Sequence, residues 1–406
     1  MSRRVSRRRL GLAVLLACLP GVRLPAQEAR YYRDGRFLVH ELTGVIPGGA
    51  PRVRVETDVG SVSARATPGT GVRYRVLVRA RGVDDAATRR LLDDMQVSAG
   101  QSGDLLLFRG QAISPGAARD LQAEFDLDLP PATGELEVMT GAGNVTAVGM
   151  TGRAVLTTRG GSIRADRVGG PLRAETRGGN IDVGGIKKEA RLVSAGGSVT
   201  LGSGGAEVVA QTSGGDVVIG RVSGQVRAET GGGNVTLESA GGDVFVQTKG
   251  GSINIGQARG EVTAATLGGS IRVAAAKGGV RCESGAGPIF LKGIDGPIRA
   301  VTSAGSIQAE LLPAGRTLFD SDIQTWQGDV TLALPESLPL TIRAIVDNSQ
   351  GSRIKSDFPL HVFREAEDAG RPVEIAEGPI GGGGALIKIR TLDGHIVIQK
   401  AKKPAP

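Results

Sequence analysis

A glycine corner recurs every eighteen residues, at Gly143, Gly161, Gly179, Gly197, Gly215, Gly233, Gly251, Gly269, Gly287 and Gly305, and the spacing never slips. A fixed period of this length is the mark of a stacked repeat, in which each unit buries its apolar face only against its neighbours. The residue after the corner is small and polar, as in Asn144, Ser162, Asn180, Ser198 and Asp216, with Pro288 as the exception. A β-branched aliphatic follows (Val145, Ile163, Ile181 and onward to Ile307), and two residues later comes a second apolar set running from Ala147 to Ala309. Apolar positions two apart define a strand with one buried face. A second half-unit supplies two more inward sets, Ala154 to Ile298 and Leu156 to Ala300, and a hydroxyl column from Thr140 to Thr302 precedes the corners.

The fold class that follows is all-β: a parallel β-solenoid with 18-residue coils, two strands per coil, over residues 140–312. Ten coils at roughly 4.8 Å each would stack to about 50 Å. Glycine is expected at the corners for its tolerance of positive φ, and the hydroxyls are expected to hydrogen-bond along the stack. Four aliphatics per coil make a thin core, and aromatic residues are only 3% of the chain. A low-complexity linker would not hold Val or Ile in register with the corner through ten repeats.

Residues 1–26 read as a signal peptide, with an Arg-rich start, an apolar run from Leu10 to Leu19, and cleavage after Ala26. Ser6-Arg7-Arg8 loosely resembles a twin-arginine signal. The competing reading is a lipoprotein box, Leu15-Leu16-Ala17-Cys18, which would leave Cys18 lipidated; a membrane partner is expected only in that case. The apolar run is shorter than the roughly 20 residues needed for a spanning helix. Six of the 49 basic residues fall in this leader, leaving 43 against 41 acidic ones. The net charge of +8 is therefore mostly leader, and no nucleic-acid partner is expected.

Residues 27–139 lack the register and read as a β-rich capping region. Strands are expected at Phe37 to Glu41, Pro51 to Ala66, Val72 to Arg79, Asp104 to Phe108 and Leu121 to Leu129, with one short helix from Asp84 to Met95. Residues 313–399 form a second irregular β-rich cap, with strands at Val330 to Leu334, Leu338 to Val346, Val373 to Ala376, Ala385 to Ile389 and around Ile396. The segment Gly381-Gly382-Gly383-Gly384 is read as a flexible or bulged connection, and Trp326 and Phe358 as plugs for the end of the stack. Residues 400–406 read as a disordered tail. Capped ends are expected because an open strand edge recruits other chains.

No catalytic, cofactor-binding or metal-ligating residue is assigned. There is no Gly-x-Ser-x-Gly elbow, phosphate loop or His-Glu-x-x-His pair. His40, His361 and His395 lie outside the repeat and have no clustered ligands near them in sequence. The nine-residue half-period resembles calcium-binding nonapeptides, but Gly250-Gly251-Ser252-Ile253-Asn254-Ile255 lacks their Gly and Asp at the fourth and sixth positions. Cys282 occupies an inward position and reads as a buried, inert thiol. Arg173-x-Glu175, Arg227-x-Glu229 and Arg281-x-Glu283 read as solvated ion pairs rather than a carboxylate couple. The outward column Thr146, Arg164, Asp182, Thr200, Val218, Thr236, Asn254, Arg272, Phe290, Gln308 is mixed, with neither an aromatic stripe nor a single-sign track.

The Gly-Asn-Val, Gly-Ser-Ile and Gly-Asp-Val corners, the Leu127-Asp128-Leu129-Pro130 strand end, the Ser356-Asp357-Phe358-Pro359-Leu360 segment and the closing run from Gly382 to Ile396 together resemble the bacterial putative adhesin domain family, a domain of unknown function. The resemblance covers about residues 50–400 and implies an exported β-solenoid of the periplasm, envelope or cell surface, with no catalytic residue to carry over. The expected function is non-enzymatic and adhesin-like, with an envelope or extracellular protein or a polysaccharide as partner. Two alternatives stay open. One is a polymer-forming scaffold that self-associates through solenoid edges, similar to bactofilin filaments; the other is a carbohydrate-active β-helix enzyme.

Overall fold

The structure, a computed structural model, describes residues 28–82, 84–114, 120–312, 319–336, 338–366 and 372–401. The leader with Ala26 and Cys18, and the last five residues of the tail, lie outside the described residues. Nearly all regular structure is strand, and the chain divides into two compact units, the first ending at Gly143 and the second beginning at Asn144.

In the second unit the eighteen-residue period becomes two long stacks of parallel strands, a solenoid-like arrangement. Val145 pairs with Ile163, Ile163 with Ile181 and Ile181 with Val199, and the offset holds to Ile289 beside Ile307. The second stack pairs Ala154 with Leu172 and continues to Val280 beside Ile298. Val145, Ile163 and Ile181 are fully buried, one above another. Most rungs bury five aliphatic positions rather than four, although Gly204 fills the fifth place in the rung of Val199 and Cys282 one place in the rung of Ile271. After Val217 and Ile219 the strand bends at Gly220, and Val222 turns back inward; Ile186, Ala240, Ala258, Ala276 and Ile294 do the same. The bend breaks strict alternation, which is why a period-two reading passes over it.

The corners use different chemistry from that expected. From Gly161 to Gly305 their φ lies outside the left-handed region. Glycine is required there by close approach instead: a Cβ on Gly233, Gly251 or Gly269 would collide with the carbonyl of the corner glycine one rung earlier. The hydroxyls do not chain to one another. Thr230 Oγ1 donates to the Gly215 carbonyl at 2.8 Å and accepts the Gly233 N–H at 3.2 Å, and Thr248, Thr266 and Ser284 repeat the pattern. The small polar residue after the corner reaches the next rung rather than its own turn. Asn180 Oδ1 accepts the Ser198 N–H at 2.9 Å, and Asp216 Oδ1 accepts the Asn234 N–H at 2.7 Å. These contacts satisfy the corner backbone groups that the strand ladders leave unpaired.

Beyond Ile307–Leu311 the order of rungs departs from the order of the chain. Ser321–Gln327 and Val330–Leu334 form the next rung, offset by twenty-three residues. The chain then skips one position and lays down Leu340–Val346 and Ile354–Ser356. It makes an antiparallel pair, His361–Ala366 with Pro372–Ile380, and returns to fill the gap with Ala385–Asp393 and Ile396–Lys400. The outermost strands of this end are thus three residues long on one sheet and antiparallel on the other. Phe358 is buried, but Trp326 is 52% exposed and plugs nothing, because it directly follows the hydroxyl residue Thr325 on the outside of a corner.

The first unit places Arg52–Thr57 between Leu105–Ala112 and Glu135–Thr140, all parallel. A second sheet runs Glu28–Asp34, Phe37–Ile46, Val72–Arg81 and Leu121–Leu129, antiparallel throughout, with Ser61–Ala66 parallel to the last of these. The helix is Asp85–Asp93, and the Asp84 carboxylate accepts the Ala86 N–H at 2.9 Å as its N-cap. The expected strand from Pro51 to Ala66 is two strands interrupted at Asp58–Gly60, while Glu28–Asp34 and Met95–Ser102 carry no alternation that announces them.

Candidate functional site

The rungs from Ile271 to Lys400 present a groove of about 870 Å³ on their outer face. Its floor follows from period two: Val273, Leu291 and Ala309 point inward, so the residues between them point out. One outward row runs Arg272, Phe290, Gln308, Thr331, each the ladder partner of the next. The other contains Lys292, Glu310, Ala333 and Gln399. The Arg272 guanidinium lies over the Phe290 ring, 4.7 Å from its centroid. That contact leaves the charge exposed and holds the side chain flat.

The far end of the groove is braced. The Lys400 N–H donates to Asp357 Oδ2 at 3.0 Å, and Lys400 Nζ pairs with Glu336 at 2.8 Å. The hydrogen bond to Glu336 holds the Lys400 ammonium above its ordinary pKa. Arg272 and Lys292 supply cationic groups at one end, while at the other the Lys400 ammonium stands among the carboxylates of Glu336, Asp357 and Glu310. Guanidinium, ammonium, carboxylate, amide and hydroxyl groups bind by charge and hydrogen bond, and one ring supplies apolar contact. A smaller groove of about 420 Å³ lies on the other sheet, between Arg281, Arg299, Asp320, Asp322 and Lys388.

The residues weighed from sequence stay apart. His40 stacks on Tyr31 at 4.2 Å, and burial lowers its pKa. His361 sits beside Phe363, and His395 Nδ1 accepts the Arg353 N–H at 3.2 Å. Among the described residues no group of three or more His, Cys, Asp or Glu is placed to hold a metal ion. Cys282 is fully buried, and burial pushes its thiol pKa up to about 12, which leaves it protonated and unreactive. The pairs Arg173–Glu175 at 2.7 Å, Arg281–Glu283 at 3.0 Å and Arg227–Glu229 all form, and Arg227 also covers Phe245 at 4.4 Å. The groove itself was not assigned from sequence. Arg272, Phe290 and Gln308 stand in the outward column, but Gln399 and Asp357 join them only through the out-of-order rungs.

No protein-family model matches the chain, and no curated protein matches it. Among solved structures it is similar to a putative cell adhesion protein from Clostridium sporogenes ATCC 15579, at 8% identity over 89% of this chain and 99% of that one, with a TM-score of 0.19. It is also similar to a putative adhesin from Bacteroides fragilis NCTC 9343, at 10% identity over 91% and 98% of the two chains, with a TM-score of 0.20. A third is a putative lipid binding protein from Parabacteroides distasonis ATCC 8503, at 13% identity over 69% and 92%, with a TM-score of 0.26. No helix among the described residues is long and apolar enough to cross a membrane.

Proposed function

We propose that the protein is an exported, non-enzymatic interaction protein of the bacterial envelope or surface, adhesin-like in the sense of the family its corners resemble. In this reading it is a β-solenoid whose C-terminal region covers one end and whose outer face holds a protein or polysaccharide partner. The observation that carries the reading is the groove along Arg272, Phe290, Gln308 and Thr331. Its row Arg272, Phe290 and Gln308 occupies outward positions that the repeat leaves free to vary, on rungs whose interiors are locked. The Arg-rich leader supports export. The short and antiparallel outer strands of the C-terminal end weigh against polymerisation through parallel edges, since such edges offer little to template.

The test is capture from the native envelope by the parent chain and by an Arg272→Ala, Phe290→Ala, Lys292→Glu variant. The parent is expected to retain a partner that the variant, melting within a few degrees of it, loses. Undiminished capture would move the site elsewhere. Product release from a panel of polysaccharides by the purified chain would overturn the non-enzymatic reading.

A further inference from the structure

The rung at Ala385–Asp393 and Ile396–Lys400 is the last laid down, yet it lies inside the stack. Ala385–Asp393 pairs in parallel with Ser321–Gln327 on one side and Leu340–Val346 on the other. Ile396–Lys400 pairs likewise with Val330–Leu334 and Ile354–Ser356. Its Ile387, Ile389, Thr391, Ile396 and Ile398 are buried. Its corner repeats the chemistry of the others: Thr391 Oγ1 donates to the Gly328 carbonyl at 3.1 Å, and the His395 N–H donates to Asp329 Oδ1 at 2.7 Å. On the outer side Arg390 pairs with Asp347 at 2.7 Å, and Asn348 Nδ2 donates to Asp393 Oδ1 at 2.6 Å. The slot is thus specified by register, core and corner contacts, none of which requires that the inserted rung belong to the same chain.

The tether is Gly381-Gly382-Gly383-Gly384, which crosses over the start of Leu340–Val346. A Cβ at Gly381 would press on the Leu338 carbonyl at 2.7 Å, and one at Gly384 would collide with the Pro339 carbonyl. Gly381, Gly382 and Gly383 take φ of +59°, +98° and +84°. The segment is therefore a tight crossover rather than a loose connection. It closes only in a backbone conformation that other residues adopt at a cost. Extended, four residues reach on the order of 13 Å.

We infer that the slot is a strand-exchange site whose partner is a second copy of this chain, each copy donating its terminal rung to the other. Exchange keeps every contact of the rung and changes only the hinge, so concentration and hinge conformation set the balance. Gly382 separates the two. Nothing lies within 4 Å of where its Cβ would stand, so a side chain there strains the closed crossover without disturbing packing. Gly382→Val should raise the association constant roughly tenfold per hinge.

The test uses full chains in a Cys18→Ser background, one carrying Thr331→Cys and the other Val397→Cys, which are partners across the ladder. They are unfolded together, refolded at high concentration and oxidised mildly. A disulfide-linked heterodimer, absent when Thr331→Cys is mixed with Val218→Cys and more abundant with Gly382→Val, is the expected result. Heterodimer no greater than the Val218→Cys control, with both chains folded by circular dichroism, would overturn the inference. Should the first pair misfold, Thr341→Cys with Leu386→Cys reads the same slot from the other sheet. A Gly382→Val chain that stays monomeric by light scattering at every concentration would overturn it independently.

Discussion

At the corners, adjacent glycines in one repeat answer to different constraints. Gly251 faces the Gly233 carbonyl so closely that no Cβ fits, whereas a Cβ on Gly250 would meet the Gly232 carbonyl at 3.4 Å, an ordinary contact. The ladder fixes the spacing between rungs, so the clash at Gly251 cannot relax by moving one residue. Gly251→Ala should cost about 2–3 kcal/mol, while Gly250→Ala should stay within about 0.5 kcal/mol. Equal melting losses for the two would refute the close-approach account. Inward and outward residues divide as sharply. Ile253 is fully buried among aliphatics, so Ile253→Asp strands a charge and should cost more than about 4 kcal/mol. Arg272→Asp loses mainly its contact with Phe290, worth about 0.5–1 kcal/mol. Chemical denaturation that ranked these two in the reverse order would invert the facing of the whole strand.

Among the elements of the first unit, Glu28–Asp34 is held little by apolar burial, since none of its residues is buried. Polar and aromatic contacts attach it. Arg30 and Arg75 both bind Glu41, which is 2% exposed; Tyr31 stacks on His40 and donates to Asp93 at 3.1 Å; and Arg33 pairs with Asp85. The hydrogen bond from Arg30, helped by Arg75, holds the Glu41 carboxyl below its ordinary pKa, and burial holds the His40 imidazole below its own. Both shifts are downward, so both groups contribute stability at neutral pH and lose it as pH falls. The His40 contribution fades below about 6.5 and the Glu41 contribution below about 4.3. Hydrogen-exchange protection of residues 28–34 should decline in those two stages, with Glu41→Gln removing the second. Protection that stayed flat from neutral to acid would show that the strand is held by something else. This strand was illegible in sequence because it has no apolar alternation, whereas Val145–Val148 and its successors were legible from theirs. The placement of Ala385–Asp393 was illegible for a different reason. Its Ile387, Ile389 and Thr391 follow the pattern of any rung, and periodicity does not encode a pairing partner sixty-six residues away. The groove inherits that blind spot through Gln399 and Asp357.

For the molecule as a whole, the governing fact is that register, not sequence identity, joins one rung to the next. Between Val145 and Ile307 successive rungs meet through the same ladder offset, the same kind of hydroxyl-to-corner bonds and the same inward column. Removing Val235–Ser252, one complete rung of eighteen residues, joins Asn234 to Ile253 and recreates a corner of the existing kind. Every later side chain keeps its facing, and nearest-neighbour coupling loses one interface among many. Removing seventeen residues, Val235–Gly251, leaves the later rungs one residue out of step with the corners before them. A one-residue slip in a strand turns its buried set outward, so Ile253 and Ile255 would face solvent unless the corner distorted to absorb the extra residue. The eighteen-residue deletion should melt within a few degrees of the parent with its circular-dichroism spectrum preserved. The seventeen-residue deletion should lose cooperative melting or much of its strand signal. If both deletions behaved alike, the rungs would not be interchangeable units, and the stack would be held by contacts specific to each level.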